Sequence, residues 1–193
     1  MVSMKKTRKT FIICFIISFL LWFFPFIIRI LFIDTIDKLI HSSADEQHTT
    51  LNIVAEITEH LNNNDKWSAF CLVFFNNLKV CFINIFGGIL LGLGTLVSLI
   101  VNGFFAADTF VTLHQNGMSI NKILAHTLPH SIELIGIWLS GAIGLNIAKI
   151  FIDMMKNDIT PTYLTIKFLL LMSLIMTLII LIASYIEIYI SIK

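Results

Sequence analysis

The sequence predicts an all-α membrane protein, a polytopic bundle of about five transmembrane helices that forms a single membrane domain over residues 1–193. Of these residues, 57% are hydrophobic and only 13% are charged, whereas a soluble globular domain has about 25% charged residues. The hydrophobic residues also fall into runs near the roughly 20 residues that a helix needs to cross the bilayer. A lipid bilayer is therefore the first expected partner of this chain.

Four of the apolar runs are long enough to span a bilayer, and one is shorter. The first run, 10–33, follows the basic segment Lys5–Lys9, which places the amino terminus in the cytoplasm by the positive-inside rule. Arg29, near the other end of this run, is expected to snorkel to the far interface. The other predicted spans are 70–101, a short or re-entrant 103–118, 128–151 and 163–190.

The short third run decides the topology. Leaving out Arg29 and Lys79, which lie within spans, a five-span chain has seven Lys and Arg side chains in cytoplasmic parts and four outside. A four-span chain would have six inside and five outside. The positive-inside rule favours five spans. The alternative is a re-entrant hairpin over 102–122 that is buried against the other helices.

The polar segment 34–66 separates the first two spans and carries seven acidic and two basic side chains. Its apolar residues recur at helical spacing, at Leu51, Val54, Ile57 and Leu61. Two interpretations of this amphipathic helix stay open. It lies on the outer membrane surface and docks partners, or its apolar face packs on the spans. Asp65 is predicted to be the N-cap of the next helix.

Small residues in the second and fourth spans predict a seam where two helices pack closely. Glycines four residues apart let two helix backbones approach each other within a membrane. The predicted seam consists of Gly88, Gly92, Gly136, Ser140, Gly141 and Gly144. A solute path along the same face is the alternative interpretation.

Six polar side chains are predicted to form a cluster inside the bilayer: Asn76, Asn77, Asn84, Asn102, His130 and Glu133. Ionisable groups at membrane depth are functional candidates by default, and His130 and Glu133 share one helix face. One interpretation is a pair that fixes the start of the fourth span by bonding to these asparagines. The others are a proton or ion pathway, and a metal site that adds His126 or His114.

The sequence contains no arrangement typical of an enzyme. It has no HExxH motif, no P-loop and no GxGxxG. The three cysteines, Cys14, Cys71 and Cys81, show no CxxC spacing and are interpreted as small hydrophobic residues. We therefore predict no catalytic residue, no bound metal and no cofactor. The net charge of +1 also predicts no nucleic-acid partner.

Several short motifs between about residues 74 and 149 together resemble the stage II sporulation protein M family. They are Phe75-Asn76-Asn77, Gly87-Gly88…Gly92…Thr95, Asn102-Gly103-Phe104, Pro129-His130…Glu133-Leu134 and Ser140-Gly141-Ala142-Ile143-Gly144-Leu145. The chain departs from the family pattern at Ser131, where the family usually has glycine, and at Ala106-Ala107-Asp108.

The resemblance implies a membrane-embedded organiser in the bacterial cytoplasmic membrane without chemistry of its own. The family's namesake looks like an anchor for cell-wall hydrolases during engulfment in sporulating bacteria. Other small members accompany transport proteins in operons that make and export circular bacteriocins. The main functional hypothesis is therefore a non-enzymatic scaffold for envelope proteins. The alternative is a component of peptide maturation, export or immunity that works with a transporter ATPase.

Overall fold

Five long helices that run in alternating directions make up the computed structural model, which describes residues 4–32, 56–57, 59–127, 130–157 and 161–191. Each is long and apolar enough to cross a membrane, so the all-α prediction with about five spans is confirmed. The helices of this described part are α1 Met4–Leu31, α2 Lys66–Gly87, α3 Leu93–Gln115, the short α4 Ile120–Thr127, α5 His130–Asn157 and α6 Tyr163–Ile186, with a π-helical turn at Glu187–Ser191.

The prediction of one continuous helix over 70–101 is wrong, because a turn at 88–92 divides this stretch into two helices. Leu91 and Gly92 have φ values of 54° and 86°, which lie in the left-handed region that ends a right-handed helix. The amide of Gly88 donates to Ile85 O at 3.1 Å, a tighter turn than the α-helical bond. α3 therefore starts at Leu93 and has 23 residues, where the sequence predicted only the short segment 103–118.

α2 and α3 form a tight hairpin whose tip is apolar. A Cβ atom on Gly87 would overlap the backbone of Gly94 and Thr95, so the two helices touch directly where they leave the turn. Ile89, Leu90 and Leu91 at the tip are 49%, 66% and 48% exposed. No charged residue occurs anywhere in 80–107. The side chains exposed at the tip are therefore all apolar.

The start of α1, the hairpin tip, the end of α5 and the start of α6 meet at one end of the bundle. The rings of Phe11 and Phe168 are 5.2 Å apart there, and a Cβ on Gly92 would lie 3.1 Å from Ala148 Cβ. We call this the basic end, after its described side chains Arg8, Lys9, Lys149, Lys156 and Lys167.

The other end, which we call the distal end, holds Arg29, the start of α2, the start of α5 and the π-helical turn. Arg8 and Arg29 are 21 residues apart in α1, which is about 31 Å of helix. This separation matches the roughly 30 Å thickness of a bilayer's hydrocarbon core. The two charged levels therefore bracket a layer that fits acyl chains.

At the distal end, α2 begins with the predicted N-cap. Asp65 accepts a hydrogen bond from the Ser68 amide at 3.1 Å, which confirms Asp65 as the cap of this helix. Hydrogen bonds from Ser68, followed by the nearby His60, lower the pKa of the Asp65 carboxyl. These hydrogen bonds therefore favour the charged form of the cap.

The predicted amphipathic helix falls largely outside the described residues, which omit Leu51 and Val54. Ile57 and Leu61, which are described, pack against a small apolar cluster made by the start of α2 and the π-helical turn, namely Ala69, Phe70, Val73 and Ile188. Of the two interpretations left open, packing on the spans therefore holds for Ile57 and Leu61.

Candidate functional site at the centre of the bundle

Three helices meet at mid-depth around one buried asparagine. Asn84 of α2 is fully buried, and its Nδ2 donates to Ser140 Oγ of α5 at 2.9 Å. Ser140 Oγ donates in turn to Ile137 O at 2.7 Å. From the third helix, Thr95 Oγ1 donates to the Asn84 backbone oxygen at 2.7 Å. Polar side chains thus connect α2, α3 and α5 where lipid supplies no hydrogen bonds.

Two glycines allow this junction to form. A Cβ on Gly88 would overlap the Gly144 carbonyl, and a Cβ on Gly144 would overlap the Asn84 carbonyl and lie 2.6 Å from Thr95 Oγ1. The backbones of α2 and α5 therefore touch with no side chain between them. This close approach places Asn84 within hydrogen-bonding distance of Ser140.

The other residues of the predicted seam face different helices. Gly136 lies against Ile180 of α6, and Gly141 lies against Ser18 of α1 and Leu99 of α3. Gly92 lies in the turn before α3, with a φ of 86°. Gly88, Gly92, Ser140 and Gly144 thus lie where the predicted second span contacts α5, while Gly136 and Gly141 face other helices.

The structure does not bring the described members of the predicted polar cluster together at one point. Asn76 is exposed and Asn77 is half-buried on α2. Asn102 Nδ2 donates to Ser98 O of its own helix at 2.7 Å, one turn back. Asn84 alone lies in the three-helix junction.

The two ionisable members of that cluster lie near the start of α5. Glu133 is buried, with 6% of its surface exposed, and it precedes Ser140 by two helical turns. The side chains of His130 and His126 lie outside the described part, so their proposed pairing with Glu133 stays a prediction. Among the described residues, no three His, Cys, Asp or Glu side chains lie close enough to hold a metal ion.

A buried ion pair joins α1 to α3 near the distal end. Arg29 Nη2 and Nε donate to Asp108 Oδ1 at 2.7 and 3.0 Å, and the guanidinium lies 5.8 Å from the Phe104 ring centre. Arg29 lies at the distal charged level but is only 2% exposed, so its guanidinium pairs with a carboxylate inside the bundle, where the sequence predicted a side chain that snorkels to the far interface. Because α3 extends over Leu93–Gln115, it brings the Asp108 carboxylate within reach of the Arg29 guanidinium. An acidic residue inside an apolar run was the available signal for this pair.

Several buried polar atoms in the core of the bundle have no hydrogen-bond partner within the described residues, including Ser18 Oγ, Trp22 Nε1 and Asn146 Nδ2. The Trp22 ring packs on that of Trp138, with centroids 5.6 Å apart. Such atoms are costly in a low-dielectric interior. Ser18 Oγ, Trp22 Nε1 and Trp138 Nε1 place three such atoms on α1 and α5.

These features define a class, the polytopic membrane proteins whose helices are joined by small-residue and amide contacts. The sequence profile of the stage II sporulation protein M family matches residues 10–192. The chain belongs to this family, as its motifs predicted.

A relative in the archaeon Methanocaldococcus jannaschii, an uncharacterized protein, is 35% identical over 124 residues, which cover 63% of this chain and 70% of that protein. No solved structure matches the chain. The fold described above therefore rests on this chain's own contacts.

Proposed function

We propose that the protein is a non-enzymatic scaffold of the cell envelope, which holds partner proteins at its distal end. The main support for this proposal is that polar side chains at mid-depth are engaged in hydrogen bonds within the bundle. Asn84 donates to Ser140 of α5 and Thr95 donates to the Asn84 backbone oxygen, while Ser140 and Asn102 donate to backbone oxygens of their own helices. Groups used in this way favour a rigid support over a reaction site or an open path.

We place the basic end in the cytoplasm and the distal end outside. The positive-inside rule supports this orientation, since Arg8, Lys9, Lys149, Lys156 and Lys167 all lie at the basic end. Family membership supports a bacterial cytoplasmic membrane and partners such as cell-wall hydrolases, which act outside that membrane.

The docking surface that we propose is the exposed polar side of the segment before α2. Because Ile57 and Leu61 pack inward, the apolar side is not available at those positions. Glu56 and Glu59 are exposed, as are three consecutive amides, Asn62, Asn63 and Asn64. A partner that fits this surface has basic and hydrogen-bonding side chains at its contact.

A photo-activated cross-linking residue at Glu59, in the full-length protein in its native membrane, tests the scaffold. We expect one discrete adduct with an envelope protein, which is again formed from Asn63 and is weakened by Glu56→Lys. The same cross-linker at Leu170, which is 66% exposed on α6, should give mainly lipid adducts. An identical pattern from Leu170, or no protein adduct from either distal position, would refute the proposed docking surface.

A second candidate function, a transport component for peptide export that works with an ATPase, is favoured by the burial of Glu133. Protein reconstituted in liposomes with that ATPase should then move peptide, and Glu133→Gln should stop this transport. Asp153→Asn, a change at an exposed pair with Lys149, is the matched control. Normal transport by Glu133→Gln would remove the proposed path, whose other residues are Asn77, Asn102 and His130.

A further inference from the structure

The lipid-facing side of α2 carries a lysine. Phe75, Phe82 and Phe86 mark this side and are 62%, 46% and 62% exposed. Lys79 is exposed on the same side, between Phe75 and Phe82. A charged side chain in this position is unfavourable unless it reaches the interface or an opposite charge.

No carboxylate of the described residues pairs with Lys79. The ion pairs found in this part of the chain join Arg29 to Asp108, His60 to Asp65 and Lys149 to Asp153. Lys79 therefore keeps a positive charge that the described protein does not balance.

The depth of Lys79 follows from the register of α2 against α5. Asn84 contacts Ser140 and Gly88 contacts Gly144, so the two helices run in the same direction with a constant offset. By that offset Lys79 is level with Ile135, five residues or about 8 Å inside the start of α5. Side chains on a helix point toward its amino terminus, which for α2 is the distal end. The flexible stem of Lys79 therefore brings the ammonium group to the headgroup level.

A shallow groove lies on the surface between Lys79 and the start of α2. Trp67 and Phe75 give it apolar walls, while Ser68, Asn76 and His60 add hydrogen-bonding groups. No carboxylate lines this groove, although Oδ2 of the nearby Asp65 lies 3.3 Å from His60 Nδ1. The groove thus combines one cation, neutral donors and an apolar wall that continues along the lipid-facing side of α2.

We infer that this groove binds an anionic phospholipid of the distal leaflet. The phosphate of this lipid pairs with Lys79 Nζ and accepts hydrogen bonds from the Asn76 amide and the Ser68 hydroxyl. The acyl chains of the lipid pack along Phe75 and Phe82. A zwitterionic lipid fits less well, because its own ammonium group already balances the phosphate. A charge-assisted contact to phosphate is stronger than a neutral one.

Native mass spectrometry of delipidated full-length protein, titrated with phosphatidylglycerol, tests this inference. We expect Lys79→Gln to weaken binding by about tenfold or more, and Lys79→Arg to retain it. Lys156→Gln removes an exposed lysine at the basic end and should bind as the unaltered protein does. The affinity for phosphatidylcholine should be the same in all three variants.

Glycerol 3-phosphate separates a lipid from a free phosphate, since it lacks the chains that contact the phenylalanines. It should bind at least about a hundredfold more weakly than phosphatidylglycerol. If Lys79→Gln does not fold, Asn76→Leu should still lower phosphatidylglycerol affinity severalfold. Unchanged binding in Lys79→Gln, or binding of glycerol 3-phosphate as tight as that of the lipid, would overturn the inference.

Discussion

Replacing Gly144 with leucine should remove nearly all folded protein from the membrane. A Cβ alone at this position overlaps the Asn84 carbonyl and lies 2.6 Å from Thr95 Oγ1. Added volume in a packed core usually destabilises by about 1–3 kcal/mol when neighbours can shift. Here the neighbours belong to two other helices and include backbone, so α5 would have to move away and break the Asn84–Ser140 bond. Size-exclusion chromatography in detergent measures the folded fraction.

Two further variants make this experiment specific. Gly88→Leu should have the same effect from the other side, because a Cβ on Gly88 overlaps the Gly144 carbonyl. Ile135→Leu changes an exposed residue on α5 and should leave the folded fraction as it is. If Gly144→Leu gave normal amounts of folded protein with an unchanged melting temperature, the close contact between α2 and α5 would be wrong.

Removing the charge of Arg29 should destabilise the protein nearly as strongly. In Arg29→Met the Asp108 carboxylate loses its partner, and breaking a buried pair from one side typically costs about 3–5 kcal/mol. The Asp108 side chain is 30% exposed, so we expect an effect toward the lower end of this range. Thermal unfolding in detergent, followed by tryptophan fluorescence, gives the change in melting temperature.

The double variant Arg29→Met with Asp108→Leu should recover much of that loss. It removes both charges and leaves apolar side chains, which often replace a buried pair at little cost. Lys149→Met breaks an exposed pair with Asp153 and should change stability by less than about 1 kcal/mol. A double variant as unstable as the two single changes added together would show that Arg29 and Asp108 do not interact.

Helix number and membrane class could be predicted from the sequence because both depend on the length of apolar runs. The boundary between α2 and α3 could not. Turns are usually recognised by polar residues and proline, whereas 88–92 reads Gly-Ile-Leu-Leu-Gly. Its left-handed residues Leu91 and Gly92 are set by the packing of both arms on α5. Without knowledge of α5, Gly88 and Gly92 fit a continuous helix equally well, because they are four residues apart.

The sequence predicts the residues of the central junction but not the contact between them. The sequence predicts Asn84 in a polar cluster and Ser140 in a packing seam, but the hydrogen bond between them depends on the register of two separate helices. Asn102 looked similar to Asn84 in the pattern, yet its amide returns to Ser98 of its own helix. Amides in apolar helices are thus predicted to find partners, while the identity of the partner follows from tertiary structure.

The stretch 80–107, which contains the turn between α2 and α3 and no charged residue, has a consequence for how the chain enters the membrane during synthesis. Orientation is set by lysines and arginines that resist translocation, and the whole stretch 80–107 supplies none. Its tip, Ile89-Leu90-Leu91, has no polar side chain that would favour water on the cytoplasmic side of the membrane. We therefore expect the two arms to insert together as one unit, with an orientation that is set by the charged residues outside this stretch.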